Sequence, residues 1–201
     1  SYIVPNGIDD FWHENILCDN IDEKLKRIKE KKINVIFAGR IDKNKNIKTT
    51  QAALQLLRDK GWETKFTVVG KVADKNEFSK IISDEHTTYI PPLAKEELIK
   101  LYRKNDIFVM PSHTESFGLV YAEAISQGLP VVYTKGQGFD GQFDEGVVGY
   151  SADSHSIESV SNAIESVTKN YNDIYINLQQ CAKKFIWNEI VNNYNEIYDK
   201  V

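Results

Sequence analysis

With 201 residues, 41% of them hydrophobic, 27% charged and 11% aromatic, the chain has the size and composition of one large globular domain, which excludes a disordered, collagen-like or coiled-coil protein. Its 25 Lys and Arg against 29 Asp and Glu leave a formal net charge of -4, which argues against broad attraction to nucleic acid or anionic lipid. Any anion site must therefore be local.

In chain order, Ile21, Leu25 and Ile28 recur at helical spacing in a charged stretch, and the β-rich run from Ile33 to Ala38 ends at Gly39, predicting a helix and then a strand. Ile47, Thr50, Leu54 and Leu57 keep three- and four-residue intervals up to Gly61, and a second strand runs from Thr64 to Val69 before Gly70. The alternation continues with a helix near Phe78 to Ile82, a strand from Thr88 to Ile90, a helix around Leu98 to Tyr102, and a strand from Asp106 to Met110 broken by Pro111. A helix from Leu119 to Ser126 and strands at Pro130 to Tyr133 and Val147 to Tyr150 follow. Ile157, Val160, Ile164 and Val167 form one helical stripe; Trp187, Ile190, Val191, Tyr194 and Ile197 form another, which reads as packing surface in need of a neighbour. Strands alternating with helices over short connections imply an α/β fold: a Rossmann-like, doubly wound, mostly parallel sheet with helices on both faces. Residues 1–201 are expected to form a single domain, with 1–32 as a lead-in linker and helix and 171–201 as C-terminal helices.

No apolar run approaches the roughly 20 residues of a membrane-spanning helix, and the first residues carry no signal-peptide pattern. The chain starts at Ser1 without a methionine, and Ser1 to Asp9 reads as strand then turn, so the expectation is a part of a longer protein. Cys18 and Cys181 lie in unrelated contexts without CxxC spacing, and His13, His86, His113 and His155 show no metal-ligand spacing. Neither a metal site nor a disulfide is predicted, and a reducing cytoplasm is the expected compartment.

In a parallel sheet the loops leaving the carboxyl ends of the strands share one rim, where ligands bind near a reversal in strand order. Two such loops carry chemistry. After the first strand, Arg40 and Lys45 sit five apart on a loop that opens a helix; a planar fork and a point charge together can neutralise a diphosphate whose charge grows as a bond to it breaks. After the strand ending at Met110, Ser116 is the expected N-cap of a helix, and the free amides of Phe117, Gly118 and Leu119 would form an anion seat at its positive end. Glu123 lies on an otherwise apolar helical surface and needs a partner, and Glu115, eight residues earlier, places a second carboxylate toward the other end of an extended polar ligand. Gly136 to Gly141 matches GxGxxG literally, but no helix follows it, so it reads as a flexible loop able to close over a ligand rather than as a dinucleotide fingerprint. His113 reads as an ordinary loop histidine on the rim.

These residues together resemble the C-terminal, donor-binding half of family-4 (group 1) retaining glycosyltransferases of GT-B fold. Val4 to Asp9 is similar to that family's approach to the domain, Gly39-Arg40 with Lys45 to its phosphate-binding residues, Glu115 to Glu123 to its E-x7-E motif, and Phe185 to Asn188 to the approach to its terminal helix. The resemblance implies that Arg40, Lys45 and Glu115 carry the transfer chemistry. Gly39, Arg40 and Lys45 would hold the donor diphosphate with the backbone of Phe117, Gly118 and Leu119. Glu115 would contact the sugar and Glu123 the ribose hydroxyls, and the base would lie against Tyr89, Ile90 and Pro91. It also implies a UDP- or GDP-sugar donor and no separate cofactor. The other partners would be a glycan or lipid-linked acceptor and an N-terminal GT-B domain that is absent here. The role would be in surface polysaccharide assembly, in the cytoplasm or at the inner face of the membrane. An isolated domain of this kind is expected to bind donor better than it transfers sugar. The sequence departs from the family where Asn46 replaces the glycine after the lysine and where Pro91-Pro92 replaces a glycine. A sugar-nucleotide epimerase of similar fold and a nucleotide-binding module without catalysis are the alternatives.

Overall fold

The structure, a computed structural model, describes residues 4–16 and 21–198, so Cys18 and the first three positions lie outside it. Six strands, β1 (Lys32–Ala38), β2 (Glu63–Val69), β3 (Thr87–Ile90), β4 (Ile107–Val109), β5 (Val131–Thr134) and β6 (Gly149–Ala152), make one sheet in the order β3-β2-β1-β4-β5-β6. Every neighbouring pair is parallel, with Val35 of β1 opposite Phe66 of β2 on one side and Ile107 of β4 on the other. The order reverses between β1 and β4. Successive strand residues point to opposite faces, and Val35, Ile36 and Phe37 are all buried, as are Ile107, Phe108 and Val109, so both faces of the centre are covered.

The covering helices are α1 (Asp10–Glu14), α2 (Asp22–Lys29), α3 (Ile47–Asp59), α4 (Lys75–Ile81), α5 (Lys95–Lys104), α6 (Leu119–Ser126), α7 (Ile157–Lys169), α8 (Tyr171–Ala182) and α9 (Trp187–Tyr198). Helix α3 buries Ile47, Thr50, Leu54 and Leu57, the stripe its sequence predicts, and packs with α7, while α6 packs with α8 and α1. Side chains cap the starts of α4 and α7 among others: Asp74 accepts the amides of Asn76 and Glu77 before α4, and Ser156 accepts that of Ser159 before α7. The lead-in segment closes onto the other end of the chain, where the Ile8 amide donates to the Phe185 carbonyl at 3.0 Å.

The strand expected at the start of Ser1 to Asp9 falls on the opening positions, of which the first three lie outside the described residues; residues 4–9 cross as an irregular segment ending at the Asp9 cap of α1, whose carboxylate accepts the Phe11 amide. One expectation is corrected. The late strand begins at Gly149 rather than Val147, because Val147 donates its amide to the Asp144 carbonyl in the preceding turn and so is unavailable to the ladder.

Candidate functional site

At the carboxyl ends of β1 and β4, where the strand order reverses, the loops part to leave a cleft of about 510 Å³. Its walls include Gly39, Arg40 and Lys45 after β1, Glu115 to Val120 and Glu123 after β4, and Leu98 and Tyr102 of α5. The sheet topology thus brings together the two loops that the sequence singles out.

Both cations are already paired. Arg40 Nε lies 2.5 Å from Asp42 Oδ2 with its side chain 64% exposed, and Lys45 Nζ donates to Glu115 Oε2 at 2.6 Å with the two side chains 17% and 13% exposed. Asp42 also caps the short 3-10 turn Lys43–Lys45, accepting the Lys45 amide through Oδ1. An incoming anion would exchange with carboxylates that hold these side chains in the cleft, an exchange that is easier at the exposed Arg40 pair.

Helix α6 opens at the cleft on a glycine and not on a hydroxyl cap, which corrects the reading of Ser116. Gly118 is the N-cap, at φ 75°, and no side chain caps the helix. A Cβ on Gly118 would stand 2.5 Å from the Tyr121 ring, and Tyr121 is itself fixed by donating its hydroxyl to the Met110 carbonyl at the end of β4. The left-handed turn leaves the first-turn amides without a capping side chain at the positive end of the helix. The loop 135–141 is a brace, not a closing flap: Glu115 donates its amide to Gln137 Oε1 at 3.0 Å, Gly138 donates its amide to the Glu115 carbonyl at 3.0 Å, and Phe139 is buried beneath. Gly138 is required there, since an added Cβ would meet the Ser116 carbonyl oxygen at 1.6 Å.

Glu123 faces the cleft from the second turn of α6, and burial pushes its carboxyl from the usual 4.5 up to about 7, partly offset by the positive charge of Lys95. No hydrogen bond from the described residues reaches this carboxylate. Beside it on the wall, the Tyr102 hydroxyl is fully buried and finds no hydrogen-bond partner among the described residues. Leu98, Tyr102 and Asn6 were not predicted for the site; helical spacing marks Leu98 and Tyr102 only as packing positions, and nothing local marks Asn6. Conversely, Tyr89, Ile90 and Pro91 are not among the residues lining this cleft. Tyr89 and Ile90 end the edge strand β3 and Pro91 follows it; there the Ile90 carbonyl accepts the Gly70 amide and the Tyr89 hydroxyl donates to the Gly70 carbonyl. His113 stacks on His155 with ring centroids 5.0 Å apart, away from the cleft. Among the described residues no group of three or more His, Cys, Asp or Glu stands close enough to hold a metal.

Residues 19–185 match the family described as glycosyl transferases group 1. The D-inositol 3-phosphate glycosyltransferase of Pseudarthrobacter chlorophenolicus is 33% identical over 142 residues, covering 67% of this chain and 34% of that protein. An uncharacterized 41.2 kDa protein in the cps region of Klebsiella pneumoniae is 29% identical over 198 residues, 88% of this chain and 51% of its own length. The chain therefore spans about a third to a half of these relatives. Among solved structures, Anabaena HepE in complex with UDP-glucose superposes with a TM-score of 0.76 over all of this chain and 57% of its own, at 20% identity. That likeness is one of fold.

Proposed function

The chain belongs to the glycosyl transferases of group 1, and on that premise we propose that it is the donor-binding half of a GT-B enzyme that transfers a sugar from a nucleotide-diphospho-sugar to a glycan or lipid-linked acceptor. The observation that carries this reading is the convergence of Arg40, Lys45, Glu115, the amide end of α6 and the unpartnered Glu123 on one cleft at the reversal of strand order. A diphosphate fits the cationic end, where Arg40 and Lys45 leave Asp42 and Glu115 for phosphoryl oxygens and the α6 amides add dipole stabilisation. Released by Lys45, the Glu115 carboxylate can accept sugar hydroxyls, and Glu123 accepts ribose hydroxyls at the other end, against Tyr102. As the bond from sugar to phosphate breaks, negative charge grows on the leaving diphosphate, and prepositioned cations stabilise that charge without reorganising. The departing phosphate takes the acceptor proton on the same face, so the anomeric configuration is retained. The UDP-glucose named in HepE's complex favours a UDP-sugar, with GDP-sugar as the other candidate, and surface polysaccharide assembly on the cytoplasmic side is the role proposed for the whole enzyme.

Calorimetric titration of the chain with UDP and GDP tests the reading. Saturable binding is expected, weakened in Arg40→Ala and Lys45→Ala by about 1 to 3 kcal/mol each, the range for removing a hydrogen-bonded charge. Undiminished affinity in both variants would refute it.

A further inference from the structure

The turn that carries Lys45 is only three residues long, Lys43–Lys45, and a 3-10 turn of that length has little stability of its own. Two asparagines flank the lysine and tie the turn to its surroundings. Asn44 on the near side donates its side-chain amide to the Thr114 carbonyl at 2.8 Å and accepts the Thr114 amide at 3.0 Å, while its own carbonyl accepts the His113 amide at 2.8 Å. Asn46 on the far side is buried in the left-handed region at φ 52°. Its amide donates to the Pro111 carbonyl at 3.0 Å and the Ser154 carbonyl at 2.7 Å, and its oxygen accepts the Thr49 hydroxyl at 2.7 Å. Asparagine is among the few side-chain-bearing residues that adopt this backbone readily, and it alone adds two donors for facing carbonyls. The two side chains therefore lock the loop after β1 to the loop after β4 on either side of Lys45, with Glu115 directly following the clamped Thr114.

We infer that Asn44 and Asn46 are positioning residues: an amide clamp that sets the Lys45 ammonium and the Glu115 carboxylate against each other and so prepares the diphosphate end of the cleft. This rests on the reading of the cleft as a donor site. The physical gain is the rotamer and backbone entropy removed before the ligand arrives, since a lysine on an unanchored turn must be ordered at the moment of binding. Neither asparagine lines the cleft, so neither is expected to touch the ligand.

The test uses the full chain, titrated with UDP or GDP, whichever binds more tightly, and with its monophosphate, alongside thermal unfolding. Asn46→Gly keeps the left-handed backbone while deleting the amide, and Asn44→Ala deletes the other half. Each is expected to weaken the diphosphate about five- to tenfold and the monophosphate less than about twofold, and to cause no further loss when Lys45 is already alanine, because coupled residues are non-additive. Equal losses for both nucleotides, or the same loss with and without Lys45, would mean that the asparagines merely hold the fold, and would overturn the clamp. A weakened Lys45→Ala beside an unchanged Asn46→Gly and Asn44→Ala would overturn the clamp alone, whereas an unchanged Lys45→Ala would overturn the donor-site reading and the clamp with it. Should Asn46→Gly fail to fold, Asn44→Ala and Asn44→Asp carry the same comparison.

Discussion

Glu123 stands where a carboxylate reduces the stability of the free chain. Its carboxyl titrates near 7 in the folded state and near 4.5 when unfolded, so between those values the folded state holds the extra proton. Stability therefore falls as pH rises through that window, and above it the whole desolvation cost is present, on the order of a few kcal/mol. Glu123→Gln keeps the shape and removes the charge. The variant is expected to be about 2 kcal/mol more stable than the parent at pH 8, to converge with it near pH 4, and yet to bind UDP or GDP more weakly by about 1 to 3 kcal/mol. Urea unfolding at the two pH values, paired with calorimetry, measures both. An identical pH slope in parent and variant would show that the carboxyl is not desolvated. A residue that lowers stability where it serves no packing purpose is best explained by a ligand that supplies the missing hydrogen bonds.

At the scale of elements, the start of α6 sets the position of the anion seat. Gly118→Ala must hold a Cβ residue at φ 75° and push against the Tyr121 ring, whose hydroxyl anchors the helix to β4. A loss of about 1 to 3 kcal/mol in stability is expected, together with weaker diphosphate binding as the first turn shifts; unfolding midpoints and titration check the pair of effects. This turn also shows where the sequence was legible and where it was not. The strands were readable because runs such as Val35 to Ala38 are apolar at every position, which only a sheet covered on both faces requires. Helix α3 was readable because its stripe ends at Gly61, just past its last turn. Ser116 fits the local rule for an N-cap equally well, but the close packing of Tyr121 under Gly118, a contact invisible to local rules, moved the helix start. The glycine loop 135–141 likewise has the composition of a mobile segment, and only the tertiary contact of Gly138 with Ser116 makes it a brace. Arg40, Lys45, Glu115 and Glu123 could be placed on one cleft because parallel topology sends every strand's carboxyl end to one rim. Asn6 and Tyr102 could not, since their part in the cleft depends on how the lead-in segment and α5 pack.

Across the whole molecule, the cleft occupies one end of the sheet and a buried charge cluster secures the other. Asp106, just before β4 and with no exposed side-chain surface, pairs with Arg27 of α2 at 2.6 Å and accepts the Asn34 amide of β1 at 2.8 Å. Its carbonyl accepts the Tyr171 hydroxyl of α8 at 2.9 Å, and the buried Lys24 ammonium donates to the neighbouring Asn105 carbonyl at 2.6 Å. One residue thus joins two helices to the amino ends of the two central strands, whose carboxyl ends flank the cleft. Asp106→Ala leaves a half-buried guanidinium and a strand amide without their acceptor, and should lower stability by about 3 kcal/mol. The strands between are short and packed on both faces, so while the chain remains folded its rim should keep its geometry. Nucleotide affinity measured well below the lowered melting temperature is therefore expected to stay within about twofold of the parent, given that effects at distant, unshared sites are additive. If affinity fell in step with stability under those conditions, the two ends of the sheet would be coupled, and the cleft would owe its shape to the whole sheet and not to the loops that line it.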